Sequence, residues 1–154
     1  MSEEGISMIQ RRAIEGEMVA AMIEGFSKEI GWENAVRVAS DVILELARKS
    51  GRDMAYETGD PSLPTLASLI RNIWCRDNAL EIRFIEETDS SLHFQVIRCG
   101  YAEQYARMGL SELGYCLSCN RDGAFADGFN PDIRLKRSRT LMEGAPLCDF
   151  HYTL

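Results

Sequence analysis

Leu80-Glu81-Ile82-Arg83-Phe84 and, after the polar break Glu86-Glu87-Thr88-Asp89-Ser90-Ser91, Leu92-His93-Phe94-Gln95-Val96 mark where the chain changes period. Apolar and polar side chains alternate one by one, which suits strands with one buried face. The two runs and the break between them predict a hairpin over residues 80–97. His93 falls on the polar side of its strand and reads as a solvated surface residue.

Upstream the period is helical. Ile14, Met18 and Met22 recur at four-residue steps beside Val19, Ile23 and Phe26. They form one apolar stripe of a helix over residues 7–30, ended by Gly31. A second helix is expected over residues 33–49, with Val36, Ala39, Ile43, Leu46 and Ala47 inward. Arg48 and Lys49 in its last turn suit the negative end of the helix dipole, and Gly51 reads as the residue just past its end. Thr58-Gly59-Asp60-Pro61 is a loop, after which Ser62 caps a third helix with Pro64 in its first turn. Leu66, Leu69, Ile70, Ile73 and Trp74 make that helix apolar. These stripes read as core rather than as a cofactor box, and Cys75 as a small buried hydrophobe.

Downstream, residues 98–108 read as a helix stopped by Gly109. Ser111 caps a further helix over residues 112–127 that Gly128 closes, and Asn130-Pro131-Asp132 is a turn. Ile133 and Leu135 start a strand running toward Thr140, Glu143-Gly144-Ala145-Pro146 breaks it, and Cys148, Phe150 and Tyr152 are the inward set of a last strand. The order of helices, hairpin, helices, hairpin predicts an α+β fold, with the two hairpins in one antiparallel sheet packed against helices. At 154 residues the chain has the length of one domain, with a helical part at 1–75 and a sheet-and-helix part at 76–154.

Composition narrows the function. The chain is 45% hydrophobic and 27% charged, as for an ordinary soluble protein, and its formal charge is -7. That charge argues against nucleic acid, whose phosphates need a basic face, and against an anionic membrane surface. No apolar run reaches the length of a membrane span, and the acidic start, Met1-Ser2-Glu3-Glu4-Gly5, lacks a signal-peptide layout. A cytoplasmic location follows, in which the five cysteines, an odd number, are free thiols. Nothing in the composition fixes a cofactor or an oligomeric state.

Four of those cysteines fall in the last third of the chain. Cys116, Cys119 and Asp122 stand at three-residue steps on the expected helix and would share one face. Cys99 lies where strand gives way to helix, and Cys148 begins the last strand. If the two hairpins form one sheet, Cys99 and Cys148 can both approach that helix. Three readings of the thiols stand open. They are buried core, or a zinc or iron–sulfur site, for which the chain offers one close-spaced pair where a ribbon uses two, or a catalytic set. In the last, Asp122 is the better proton carrier, because alternation puts Asp149 and His151 on the face opposite Cys148.

Cys99-Gly100-Tyr101-Ala102, the segment from Cys116 to Asp122, Gly128-Phe129-Asn130-Pro131 and the ending Thr140-Leu141-Met142-Glu143-Gly144-Ala145-Pro146-Leu147-Cys148-Asp149-Phe150 resemble the L-2-amino-thiazoline-4-carboxylic acid hydrolase family. The likeness is strong over the C-terminal half and general over the N-terminal helices. In many members the cysteine pair is contiguous, whereas here Leu117 and Ser118 intervene, so Cys119 matches best. The resemblance implies a small-molecule substrate, a cyclic 2-amino-thiazoline opened by water to N-carbamoyl-cysteine. With the shared helix face, it also implies that Cys99, Cys119, Asp122 and Cys148 line one pocket, where they would be catalytic. Arg137 or Arg139 would hold the substrate carboxylate, since a guanidinium matches it with two hydrogen bonds. The competing class is a non-catalytic module that binds a small molecule or metal in the same pocket.

Overall fold

Ser7 starts the first helix. Its hydroxyl accepts from the Gln10 amide while the Gln10 side chain accepts from the Ser7 amide, so two of the amides a helix start leaves unpaired are satisfied reciprocally. The computed structural model describes residues 5–154. The acidic start at residues 1–4 lies outside the described residues. Helix α1, Met8–Ile30, is followed across Gly31, at φ 84°, by α2, Trp32–Thr58, and the two pack as a helical hairpin.

α2 does not stop near Lys49. It runs through Gly51 and ends at Gly59, which takes the left-handed conformation at φ 66°. Gly51 is a contact residue. A Cβ there would lie 2.1 Å from the Phe125 carbonyl oxygen, and one at Gly128 would lie 2.0 Å from that of Arg48. Glycine at both places lets two helix backbones touch.

α3, Leu63–Leu69, has the expected Ser62 cap with Pro64 in its first turn, then widens into a π turn over Ile70–Trp74. Strands β1, Leu80–Glu87, and β2, Ser91–Cys99, form the expected hairpin, with Phe84 opposite Phe94. Arg98 and Cys99 still pair with β1, so the next helix, α4, begins at Gly100 and ends at Arg107. The expected helix over 112–127 is three pieces: a 3₁₀ turn over Ser111–Leu113, where Ser111 makes no cap, a π turn over Tyr115–Cys119, and α5, Arg121–Phe129, which contains Gly128. β3 covers only Arg134–Lys136, short of Thr140, and pairs with β4, Cys148–Thr153. β4 also pairs with β2, so the antiparallel sheet has the order β1-β2-β4-β3. The α+β architecture is the one the change of period announces.

The buried sheet face presents Leu92, Phe94, Val96, Phe150 and Tyr152 to Leu63, Leu66, Ile70, Ala126 and Phe129. A second cluster joins Ala20 and Ile23 of α1 to Ile43, Tyr101, Tyr105 and Leu117, and Leu80 and Cys99 pack against both clusters. Of the expected α1 stripe, Ile23 is core and Val19 packs against it, but the other members are not. Ile14, Met18, Met22 and Phe26 are 62%, 64%, 49% and 55% exposed, and Leu46 of α2 is exposed as well. At about 100° per residue these α1 positions lie roughly half a turn round the helix from the buried face, so they point away from the core. The small residues Gly16 and Ala20 take that face with Ile23.

Candidate active site

One cavity of about 740 Å³ opens between the α1–α2 hairpin and the body of the protein. Cys99, Cys119, Asp122, Cys148 and Arg137 all line it, together with Arg12, Glu15, Trp74, Arg121 and Phe150. Each comes from a different structural cause. Cys99 ends β2 and caps α4, its sulfur accepting from the Ala102 amide at 3.4 Å. Cys148 opens β4, and its sulfur accepts from the Leu141 amide at 3.1 Å. Cys119 closes the π turn, and Asp122 stands in the first turn of α5.

The π turn undoes the shared face expected for Cys116. The Asn120 amide reaches back five residues to the Tyr115 carbonyl, so the turn holds more residues than an α turn and three-residue neighbours separate. Cys116 points to Ser40, Sγ to Oγ 3.1 Å, in the second core cluster, and does not line the cavity.

Arg137 leaves the end of β3 and turns inward, its side chain only 7% exposed. Nη1 donates to Asp122 Oδ2 at 2.5 Å and Nη2 to the Cys119 carbonyl at 2.9 Å. The guanidinium stacks 4.8 Å from the Phe150 ring centroid. Both prongs are thus committed to protein groups. Arg139, two residues on, is exposed and absent from the cavity wall, because β3 pairing ends at Lys136 and no strand alternation carries the inward direction of Arg137 on to residue 139. The substrate-holding role expected for either arginine therefore has no geometric support at Arg139, and at Arg137 the fork is already occupied.

Sequence reading missed a second polar group. Arg12 donates to Glu15 at 2.6 Å, and Arg121 reaches the same carboxylate at 3.4 Å while its Nε donates to the Leu117 carbonyl. Arg12 and Arg121 are 15% and 14% exposed at the side chain. On their own stretches of sequence they look like solvated helix charges, and only the packing of α1 on the π turn brings them together.

Burial dominates the electrostatics. Removal from water pushes the Asp122 carboxyl above the usual carboxylate range, against the pull of the Arg137, Arg12 and Arg121 charges. Burial alone would lower Arg137, but the Asp122 charge and hydrogen bond hold it protonated. The pair is an ion pair whose carboxylate is more basic than an ordinary aspartate. The Cys99 thiol is pushed up to about 11 by burial, and the Cys119 and Cys148 thiols are raised for the same reason. At neutral pH all three are S–H groups, and none has an imidazole partner. The fully buried Tyr152 hydroxyl has no hydrogen-bond partner among the described residues and senses the charges of Asp122 and Arg137.

Among the described residues no three His, Cys, Asp or Glu side chains converge as a metal site would require. Both histidines lie on the other sheet face, stacked with centroids 4.9 Å apart; His93 bonds Asp149 at 2.9 Å and is half-buried rather than free in solvent. Among the described residues no helix is long and apolar enough to cross a membrane.

No curated protein matches the chain. A family profile, that of L-2-amino-thiazoline-4-carboxylic acid hydrolase, does match, over residues 11–152. The match takes in all but the first turn of the hairpin and the last residue of the sheet, with Arg12, Glu15, Cys99, Cys119, Asp122, Arg137 and Cys148 inside it, and the chain belongs to the L-2-amino-thiazoline-4-carboxylic acid hydrolase family.

Proposed function

We propose that this protein hydrolyses a small cyclic amidine of the 2-amino-thiazoline-4-carboxylate type, with Asp122 moving the protons. The observation that carries the reading is the buried Asp122–Arg137 ion pair facing the same cavity as three protonated thiols. Asp122 keeps 20% of its side-chain surface accessible, enough to bond a water.

The steps follow from the chemistry of the ring. Water adds across the C=N bond, its oxygen joining the amidine carbon. Asp122 takes the proton that water loses and returns it to the ring nitrogen. As the new C–O bond becomes a carbonyl, Asp122 takes the hydroxyl proton, the C–S bond breaks, and the sulfur leaves with that proton as a thiol. The product is N-carbamoyl-cysteine. A carboxyl with a raised pKa serves both halves, because it is a stronger base ionised and a usable acid once protonated. Arg137 positions Asp122, while Arg12 and Arg121 supply positive charge for the substrate carboxylate.

The thiols are better suited as neutral, polarisable wall than as nucleophiles. A thiolate is the attacking species, and burial without a neighbouring base disfavours it. Cys119→Ser should therefore keep turnover within about tenfold of wild type, whereas loss by a thousandfold would restore covalent attack by sulfur. The sulfur-to-amide bonds of Cys99 and Cys148 favour structural roles for those two, which is the one point that a non-catalytic binding module shares.

The test is release of free thiol from the thiazoline by purified protein, followed against pH. Turnover should fall on the acid side as Asp122 is protonated, at a pH above the ordinary aspartate range. Arg137→Gln removes a charge that holds the Asp122 pKa down, so its acid limb should move to higher pH. An unmoved limb would take the proton-carrying role away from Asp122. Binding of the thiazoline without any thiol release would favour the binding module. A cytoplasmic setting belongs to the same proposal, since reduced thiols are the form the cavity needs.

A further inference from the structure

We infer that the site takes an anionic amphiphile, its polar head on the Asp122 floor and an apolar tail lying between α1 and α2. This rests on the reading of the floor given above and names a larger substrate class for it. The cavity does not end at the polar groups. From Arg12 and Glu15 it continues along the hairpin between two apolar rows, Met22, Phe26 and Ile30 on α1 and Val38, Val42 and Leu46 on α2. These six side chains are 45–56% exposed. At about 740 Å³ the space is that of a drug-sized ligand site, while a five-membered ring acid fills only its floor.

Charge fixes the orientation. Around the floor, Arg12, Arg121 and Arg137 stand against Glu15 and Asp122, three guanidiniums to two carboxylates, which leaves one positive charge for an anionic head. The rows carry no charge at these six positions, and Lys49 and Asp53, which line the cavity beside them, pair with each other at 2.6 Å, so an apolar group gains by lying there. A carboxylate or a carboxylate-bearing ring with an alkyl or aryl extension satisfies both ends of one continuous cavity.

The experiment is calorimetric titration of the full chain with straight-chain carboxylates from butanoate to decanoate, each below its micelle concentration, with decylamine as the charge control. Affinity should rise about threefold to fourfold per added methylene, the transfer free energy of one buried CH₂, and decylamine should bind far more weakly than decanoate. Val42→Asp and Phe26→Asp change exposed positions and should flatten the rise while leaving butanoate unaltered. Affinity independent of chain length in wild type, or equal binding of decylamine, overturns the proposal. So does a sedimentation result in which the protein is a dimer that Val42→Asp splits, with no chain-length dependence. In that case a second copy covers the rows. Thiol release from the unsubstituted thiazoline by wild type reads the catalytic proposal separately. Release with flat chain-length dependence leaves the chemistry standing and removes the tail, while a steep dependence without release does the reverse.

Discussion

Asp122→Asn should lower turnover of the thiazoline by on the order of a hundredfold or more, because it keeps the shape of the side chain and removes its basicity. The amide oxygen can still accept from Arg137, whose Nη1 now donates at 2.5 Å to the carboxylate, but the guanidinium loses its counter-charge in a site where it is 7% exposed. Breaking such a buried pair costs about 3 kcal/mol, which for a chain of this length lowers the melting temperature by roughly 6–12 °C and leaves the fold intact at room temperature. Circular dichroism therefore accompanies the rate measurement. A folded variant with turnover near wild type would remove Asp122 from the chemistry, whatever it does for stability. Loss of turnover together with loss of fold would be ambiguous alone. Arg137→Gln separates the two, since it disturbs the same pair yet keeps the carboxylate.

The sheet was legible because alternation is a local signal. Leu92, Phe94 and Val96 lie inward with Phe150 and Tyr152, as a two-residue period requires. The α1 stripe misled for a reason equally physical: the larger apolar side chains lie on the helix face away from the core, and the small residues Gly16 and Ala20, not Met18 and Met22, make the close contact. In the candidate site, Cys99 and Cys148 could be picked out by their places at element ends and Asp122 by its chemistry beside Cys119, with the family resemblance pointing to the same residues. Helical spacing alone could not separate Cys116 from Cys119, and only the family resemblance favoured Cys119, because a π turn has no sequence pattern of its own and displaces residues that an α helix would align. Arg12, Glu15 and Arg121 were invisible for another reason. Each sits on a helix among other charges, and only the long-range packing of α1 against the segment before α5 withdraws them from solvent.

Gly128→Ala should destabilise the protein by about 3 kcal/mol, and Gly51→Ala by a similar amount. Both glycines lie inside helices, where alanine is intrinsically favoured by about 1 kcal/mol, so propensity alone gives the opposite sign. The sign is decided by what the added methyl meets. At Gly128 it would lie 2.0 Å from the Arg48 carbonyl oxygen, and at Gly51 2.1 Å from that of Phe125. These are backbone atoms in the middle of helices and cannot swing aside as a side-chain tip would. The helices α2 and α5 must separate, and α5 carries Asp122 and Phe125. The same substitution should therefore reduce thiazoline turnover although neither glycine lines the cavity. Gly25→Ala is the control, since it is exposed in α1 with nothing within 4 Å of the added methyl, and there the helix preference should act unopposed. Thermal melts should then show Gly25→Ala at or above wild type and Gly128→Ala roughly 6–12 °C below it. If Gly128→Ala melts with or above wild type, the two helices are not in backbone contact and the placement of Asp122 through that contact fails with it. Combining Gly51→Ala with Gly128→Ala should cost less than the sum of the two, because one separation of α2 from α5 relieves both clashes.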